Sequence, residues 1–212
     1  HSVFTQQVHP GDIRLIQRLG GRPLYDIGIY CINAARYLFR DEPTEVTALV
    51  GRGHDRRFQK VEESAGAILR FPHDRLATLT CSFGATDAAM YEIVGTKGRV
   101  RVEPAYEYLG SLKASITVNG KTRVRTFRPG DQFAPQLIYF ASCVQDNRQP
   151  EPNGLEGLLD VQIIEALHRS ARQGRSVPLR LSTKQVRPDV RLQMHRPPVV
   201  KPKQVRATSP TL

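Results

Sequence analysis

From Thr44 to Phe127 the chain falls into short runs in which apolar and polar residues alternate. EVTALVG, AGAILRF, LATLTCSF, YEIVG, RVRVEP, KASITV and TRVRTF are each five to eight residues long, rich in Val, Ile, Thr and Phe, and separated by turn residues. Seven candidate strands in succession, with no helical pattern between them, predict a mainly antiparallel sheet of meanders and hairpins. Asn119-Gly120 is a type I′ hairpin signal, and Gly95-Thr96-Lys97-Gly98 is a glycine-bounded turn. On either side the periodicity becomes helical. Leu24, Ile27, Gly28, Cys31, Ala35 and Leu38 predict a helix from about Leu24 to Phe39, opened by Gly20-Gly21-Arg22-Pro23. Phe133, Leu137, Phe140, Ala141 and Val144 mark a second helix. Leu155, Leu158, Leu159, Ile163, Ala166, Leu167 and Ala171 mark a third, which Gly174 stops. Residues 1–19 read as a short mixed segment. The fold class is therefore α+β, a mainly antiparallel open sheet with helices packed on one face. In AGAILRF, Ala67, Leu69 and Phe71 alternate with Ile68 and Arg70, so the second face is partly apolar and is expected to form a homo-oligomer interface.

Length and composition narrow the function. The 212 residues suit one substantial domain at roughly 100–200 residues each. No run approaches the ~18 apolar residues of a membrane span, so no membrane partner is expected. Cys31, Cys81 and Cys143 lie far apart without CxxC or Cys/His spacing; this disfavours a metal site and a disulfide framework and fits a reducing, cytoplasmic setting. The start lacks both Met and a signal-like apolar region, which leads to the expectation of a processed or truncated chain. The net charge of +11 is uneven: from Ser182 onward seven Lys or Arg face a single Asp, among five prolines. This divides the chain into residues 1–181 and a basic, proline-rich tail over 182–212, read as an extended strap or a disordered arm. Nucleic-acid binding rests on that charge alone, with neither a recognition helix nor an aromatic strand motif beside it.

The candidate chemistry lies on the first helix. Asp26, Tyr30, Asn33 and Tyr37 recur at i, i+4, i+7 and i+11, which puts a carboxylate, two phenols and an amide on one helical face. A phenol titrates near 10, so Tyr30 needs a nearby cation or cofactor to act as an acid or base at neutral pH. Spacing alone equally allows Tyr30 to cap the core with its hydroxyl tied to Asp26. Arg14 either clamps a polar ligand in the same pocket or is a surface arginine. Gly21 and Gly28 permit close approach of backbone or cofactor, although packing alone also calls for glycine. His54, His73 and His168 have no ligand spacing and read as loop or surface residues.

The segment GGRPLYDIGIYCINAARYLF resembles the one that opens the second domain of the glucose–fructose oxidoreductase, inositol dehydrogenase and rhizopine-catabolism (Gfo/Idh/MocA) family. Similar matches follow in order through EPTEVTALVG, RFQKVEESAGAILRFP, LATLTCSFGA, EIVGTKGRVRVEPAY, DQFAPQLIYFASCV and EGLLDVQIIEALHRSARQGRSVPL. RPPVVKPKQV resembles the proline-rich extension of the glucose–fructose oxidoreductase branch. Arg22 departs from the motif, where a third glycine is frequent.

The resemblance implies a two-domain NAD(P)-dependent oxidoreductase acting on a sugar or polyol hydroxyl, of which this chain is the substrate-binding and oligomerising domain. It implies that Asp26 hydrogen-bonds the reacting hydroxyl or orients the acid/base, and that Tyr30 is the proton donor and acceptor. Asn33 and Arg14 are the substrate-side candidates, and Gly21 the cofactor-side one. The GxGxxG turn of the N-terminal Rossmann domain does not occur here. NADP or NAD is thus expected in the intact protein and neither for this fragment alone. The alternative is a catalytically inactive module of the same fold that binds a carbohydrate or a protein.

Overall fold

The computed structural model describes residues 1–182 and 187–196. Its strands are β1 Ser2–Thr5, β2 Glu45–Gly51, β3 Ser64–Arg70, β4 Leu76–Ser82, β5 Ala88–Gly95, β6 Gly98–Val102, β7 Leu112–Val118, β8 Lys121–Phe127 and β9 Val177–Pro178. All nine form one sheet in the order β8-β7-β6-β5-β1-β4-β3-β2-β9. Every pair is antiparallel except β1 with β4. The seven strands expected from alternation are all present. The fold class holds as read.

Two strands were not anticipated. SVFT, taken as part of a mixed segment, becomes β1 at the centre of the sheet, parallel to β4 through Phe4 opposite Cys81 and antiparallel to β5 through Phe4 opposite Ala89. Four residues are too few for a periodicity to register; their extended state comes from the two strands they join. β9 pairs only Val177 and Pro178 with β2.

One hairpin turn follows its chemistry. Between β7 and β8, Asn119 and Gly120 have φ of 50° and 72°, the pair of positive values that a type I′ turn needs. The helices are α1 Ile29–Phe39, α2 Phe133–Gln145 and α3 Gly154–Gln173. Asn153 caps α3 by accepting from the Leu155 and Glu156 amides, and Gly174 ends it in the left-handed conformation. α1 does not begin where the apolar spacing placed it: Leu24–Gly28 form a π-helical turn, and the α-helix starts at Ile29.

The core lies between α1, α3 and one face of the sheet. Val46 and Ala48 of β2, Ala65, Ala67 and Leu69 of β3, and Leu79 and Cys81 of β4 meet Ile32, Ile163, Ile164 and Leu167 there. Each fully buried aliphatic chain of this kind contributes roughly 1.5–3 kcal/mol of hydrophobic stabilisation. Gly28 lets α1 approach the sheet: a Cβ would stand 3.2 Å from Cys81 Sγ. The opposite face carries Leu49, Ile68, Leu76 and Val94, all exposed, and the register aligns Thr47, Ile68 and Thr78 across it.

His168 corrects the surface reading. It is buried on α3, beside Glu62, whereas His54 and His73 are exposed. The basic tail falls largely outside the described residues. Of the part that is described, the side chain of Arg187 is buried and its guanidinium Nη2 donates to Glu42 Oε1 at 2.5 Å.

Candidate functional site

The π-helical turn sets the geometry of the site. Its amides are held by Arg22, whose carbonyl accepts from Tyr25 and Asp26, and Pro23 supplies a preset φ at the start, where no amide donor is needed. A wider turn of this type is uncommon and occurs frequently at functional sites. It presents Asp26 to the loop before it. Arg14 Nε donates to Asp26 Oδ2 at 2.7 Å and Gln6 Nε2 donates to the same oxygen at 3.4 Å. Arg14 also reaches Asp12, whose carboxylate caps the short 3₁₀ turn Ile13–Leu15. Burial works against the Arg14 charge, but the hydrogen bond and charge of Asp26, with those of Asp12, hold its pKa above the ordinary guanidinium value.

Tyr30 stands one turn further on, at 48% exposure. Its ring meets Phe4 edge-on at 5.5 Å and lies 5.9 Å from Tyr106, while Phe4 and Tyr106 stack at 5.3 Å. Ser2 Oγ lies 2.6 Å from the Tyr106 hydroxyl. Burial pushes the Tyr106 pKa up, and it pushes the Cys31 thiol behind it to about 11, so both stay protonated at neutral pH. The site is therefore a charged pair, Arg14 and Asp26, beside an aromatic wall from which one phenol projects into solvent.

Asp26 and Tyr30 lie on the segment that the helical spacing indicated, and Arg14, from the loop before it, pairs with Asp26. Asn33 is turned elsewhere: in the amide orientation that satisfies both of its ends, its nitrogen donates to Asp160 Oδ1 at 3.1 Å and Oδ2 at 3.2 Å. Gly21 is buried against the backbone of Arg14, where a Cβ would collide with the Arg14 carbonyl. The close approach it permits here is to the chain's own backbone. Gln6, Phe4 and Tyr106 escaped the sequence reading because each reaches the site through β1 or a loop far from α1 in sequence. A separate cleft of about 190 Å³ lies between α1 and strands β1, β4 and β5, and is lined by Cys31, Ala35, Leu38, Leu79 and Tyr91 among others. None of the five candidate residues lines it. Among the described residues no group of three or more His, Cys, Asp or Glu side chains could hold a metal ion, and no helix is long and apolar enough to cross a membrane.

A family model described as the GFO/IDH/MocA C-terminal domain matches residues 1–101. D-xylose 1-dehydrogenase (NADP+) from Haloarcula marismortui is 31% identical over 161 residues, covering 76% of this chain and 44% of that protein. Trans-1,2-dihydrobenzene-1,2-diol dehydrogenase from Xenopus tropicalis is 35% identical over 166 residues, covering 74% of this chain and 48% of that protein. Among solved structures, aldose-aldose oxidoreductase from Caulobacter crescentus, in complex with glycerol, superimposes with a TM-score of 0.78 at 34% identity, over 84% of this chain and 54% of its own. The chain spans about half the length of the curated relatives it matches.

Proposed function

This chain carries a Gfo/Idh/MocA C-terminal domain, and on that premise we propose that it is the substrate-binding and oligomerising part of an NADP- or NAD-dependent oxidoreductase acting on a sugar or polyol hydroxyl. The observation that carries the reading is the pairing of Asp26 with Arg14 beside the exposed phenol of Tyr30. An alcohol carbon that gives up hydride becomes a carbonyl carbon only if its oxygen also gives up a proton. We assign Tyr30 to take that proton as a phenolate, with the cation that such a phenolate needs supplied by the rest of the protein, or to return it as the phenol in the reverse direction. Asp26 accepts a hydrogen bond from the substrate hydroxyl and orients it, and the hydrogen bond from Arg14 fixes the direction of that carboxylate. The rings of Phe4 and Tyr106 offer an apolar surface to the carbon face of the sugar.

Among the described residues no glycine-rich turn connects a strand to a helix in the manner of a dinucleotide site. Cofactor binding is assigned to a second domain of the whole protein. Two apolar surfaces support further partners. α2 exposes Phe133, Leu137, Phe140 and Val144 at i, i+4, i+7 and i+11, a stripe suited to packing against that domain. The open sheet face, with Leu49 at 75% exposure, is the proposed homo-oligomer interface.

Two measurements follow. The full-length protein should convert at least one aldose or polyol while reducing NADP+ or NAD+, read by nicotinamide absorbance over a sugar panel. Tight cofactor and sugar binding with no turnover would favour an inactive carbohydrate-binding module instead. Sedimentation at micromolar concentration should find an oligomer that Leu49→Asp dissociates; an unchanged assembly in that variant would move the interface away from this face.

A further inference from the structure

The groups assigned to substrate stand on one side of the π-helical turn. Its other side rests on a buried polar cluster that the proposed reaction does not use. Arg22 opens the turn, its carbonyl accepting from the Tyr25 and Asp26 amides at 3.2 Å each. Its side chain runs inward, with Nε 3.7 Å from Glu62 Oε2. Glu62 Oε1 in turn lies 3.6 Å from His168 Nδ1 on α3, with both side chains 5% exposed. Tyr25, the residue before Asp26, stacks on the His168 ring at 5.6 Å and donates its hydroxyl to Glu165. Arg22, ahead of the turn, and Tyr25 within it are thus tied to the segment leading into β3 and to α3, while Asp26 is presented to Arg14.

The cluster is not packed as a structural ion pair would be. Arg22 Nε, Glu62 Oε1 and His168 Nε2 are buried with no hydrogen-bond partner among the described residues. The 3.7 Å between Arg22 and Glu62 allows electrostatic attraction in a low-dielectric interior, but it and the 3.6 Å between Glu62 and His168 both fall short of direct hydrogen bonds. Apolar packing would avoid the cost of leaving such groups half satisfied. The location under the site gives that cost a purpose.

We propose that Arg22, Glu62 and His168 are positioning residues for Asp26, gripping the π-helical turn from beneath and fixing the direction in which the carboxylate is presented. This rests on the reading of Asp26 and Tyr30 as substrate-facing groups. Burial pushes the His168 pKa down; Glu62 and Glu165 oppose the shift, while Arg22 and Arg172 add to it. Burial thus disfavours the charged form of His168, which serves the cluster as a dipole and a stacking surface.

The test combines hydrogen exchange, read by mass spectrometry, with steady-state kinetics on the full-length protein. Arg22→Met keeps the aliphatic stem and removes the charge; Glu62→Gln keeps the shape. Both should speed exchange in peptides spanning residues 21–31 and leave the sheet unchanged. Both should also lower kcat by roughly 10- to 100-fold with KM held within about threefold, as a displaced reacting group does. Arg22→Lys should recover most of both effects. Faster exchange in the turn with undiminished turnover would support the grip on the turn and would instead remove Asp26 and Tyr30 from the reaction. Unchanged exchange over 21–31 would overturn the proposal. So would a loss of protection spread evenly over the fold with normal kinetics per folded molecule, the result of a merely structural role. Arg22 sits at the edge of the cluster with its side chain 20% exposed, so Arg22→Met decides the matter if Glu62→Gln fails to fold.

Discussion

Replacing Arg36 with methionine should destabilise the fold by about 3–5 kcal/mol at neutral pH, the cost of stranding buried charges without their partner. Arg36 is fully buried at 0% exposure and holds three carboxylates from two parts of the chain. Its Nε donates to Glu42 Oε2 at 2.6 Å, and Nη1 lies 2.5 Å from Asp160 Oδ1 and 2.8 Å from Glu156 Oε1. Burial opposes the guanidinium charge, but the hydrogen bond to Glu42 and the charges of Asp160, Glu42 and Glu156 raise its pKa above the ordinary value. Arg187 keeps its own ion pair with Glu42 in the variant, so the cost centres on Asp160, 2.5 Å from Arg36 Nη1.

The pH dependence of that loss follows from the acids left behind. Burial already raises the Asp160 pKa even with Arg36 opposing the shift. Without Arg36 it rises further. A carboxyl whose folded pKa lies above its unfolded one favours the folded state below the unfolded value and loses that contribution as pH rises through the folded value. The Arg36→Met defect should therefore be largest at neutral pH and shrink on acidification into the ordinary carboxylate range. Urea unfolding of the variant and the parent at both pH values reads this directly. A neutral-pH loss below about 1 kcal/mol would mean that other groups, Arg187 at Glu42 among them, compensate these acids when Arg36 is removed.

In the full-length protein, Tyr30→Phe should lower turnover by ~10²–10⁴-fold, the contribution of a positioned acid/base. The substitution removes one oxygen and leaves the ring, so the contacts with Phe4 and Tyr106 persist. With Tyr30 at 48% exposure, little buried polar pairing is lost, and stability should change by about 1 kcal/mol or less. Substrate KM should stay near that of the parent, because the hydroxyl acts in the transition state more than in binding. Steady-state kinetics beside thermal unfolding separates the alternatives: turnover within about threefold of the parent would make Tyr30 a packing residue.

Much of the fold was legible before any coordinates because its determinants are local. Alternation over five to eight residues specifies a strand and the face it buries. Ala67 and Leu69 are buried while Ile68 is exposed, as their alternation indicated. The φ preferences of Asn119-Gly120 specify a hairpin, and Gly174 specifies a helix end. The same locality made Asp26 and Tyr30 visible, because four residues of helix bring two side chains into one neighbourhood.

What only the tertiary structure decided concerns partners far apart in sequence. SVFT is a strand because β4 and β5 leave it a place between them, more than 70 residues downstream. Arg36 is indistinguishable from a solvated helix cation until residues 42, 156, 160 and 187 converge on it. His168 looks like a surface residue until Glu62 and Tyr25 enclose it. Asp26 shares a helical face with Tyr30 in the sequence, yet its hydrogen bonds come from Arg14 and Gln6, because the turn that carries it is π-helical and opens toward the preceding loop. Hydrophobic period and turn geometry are properties of neighbouring residues. The pairing of buried charges depends on which distant groups share the same dry volume, and the fold alone determines that.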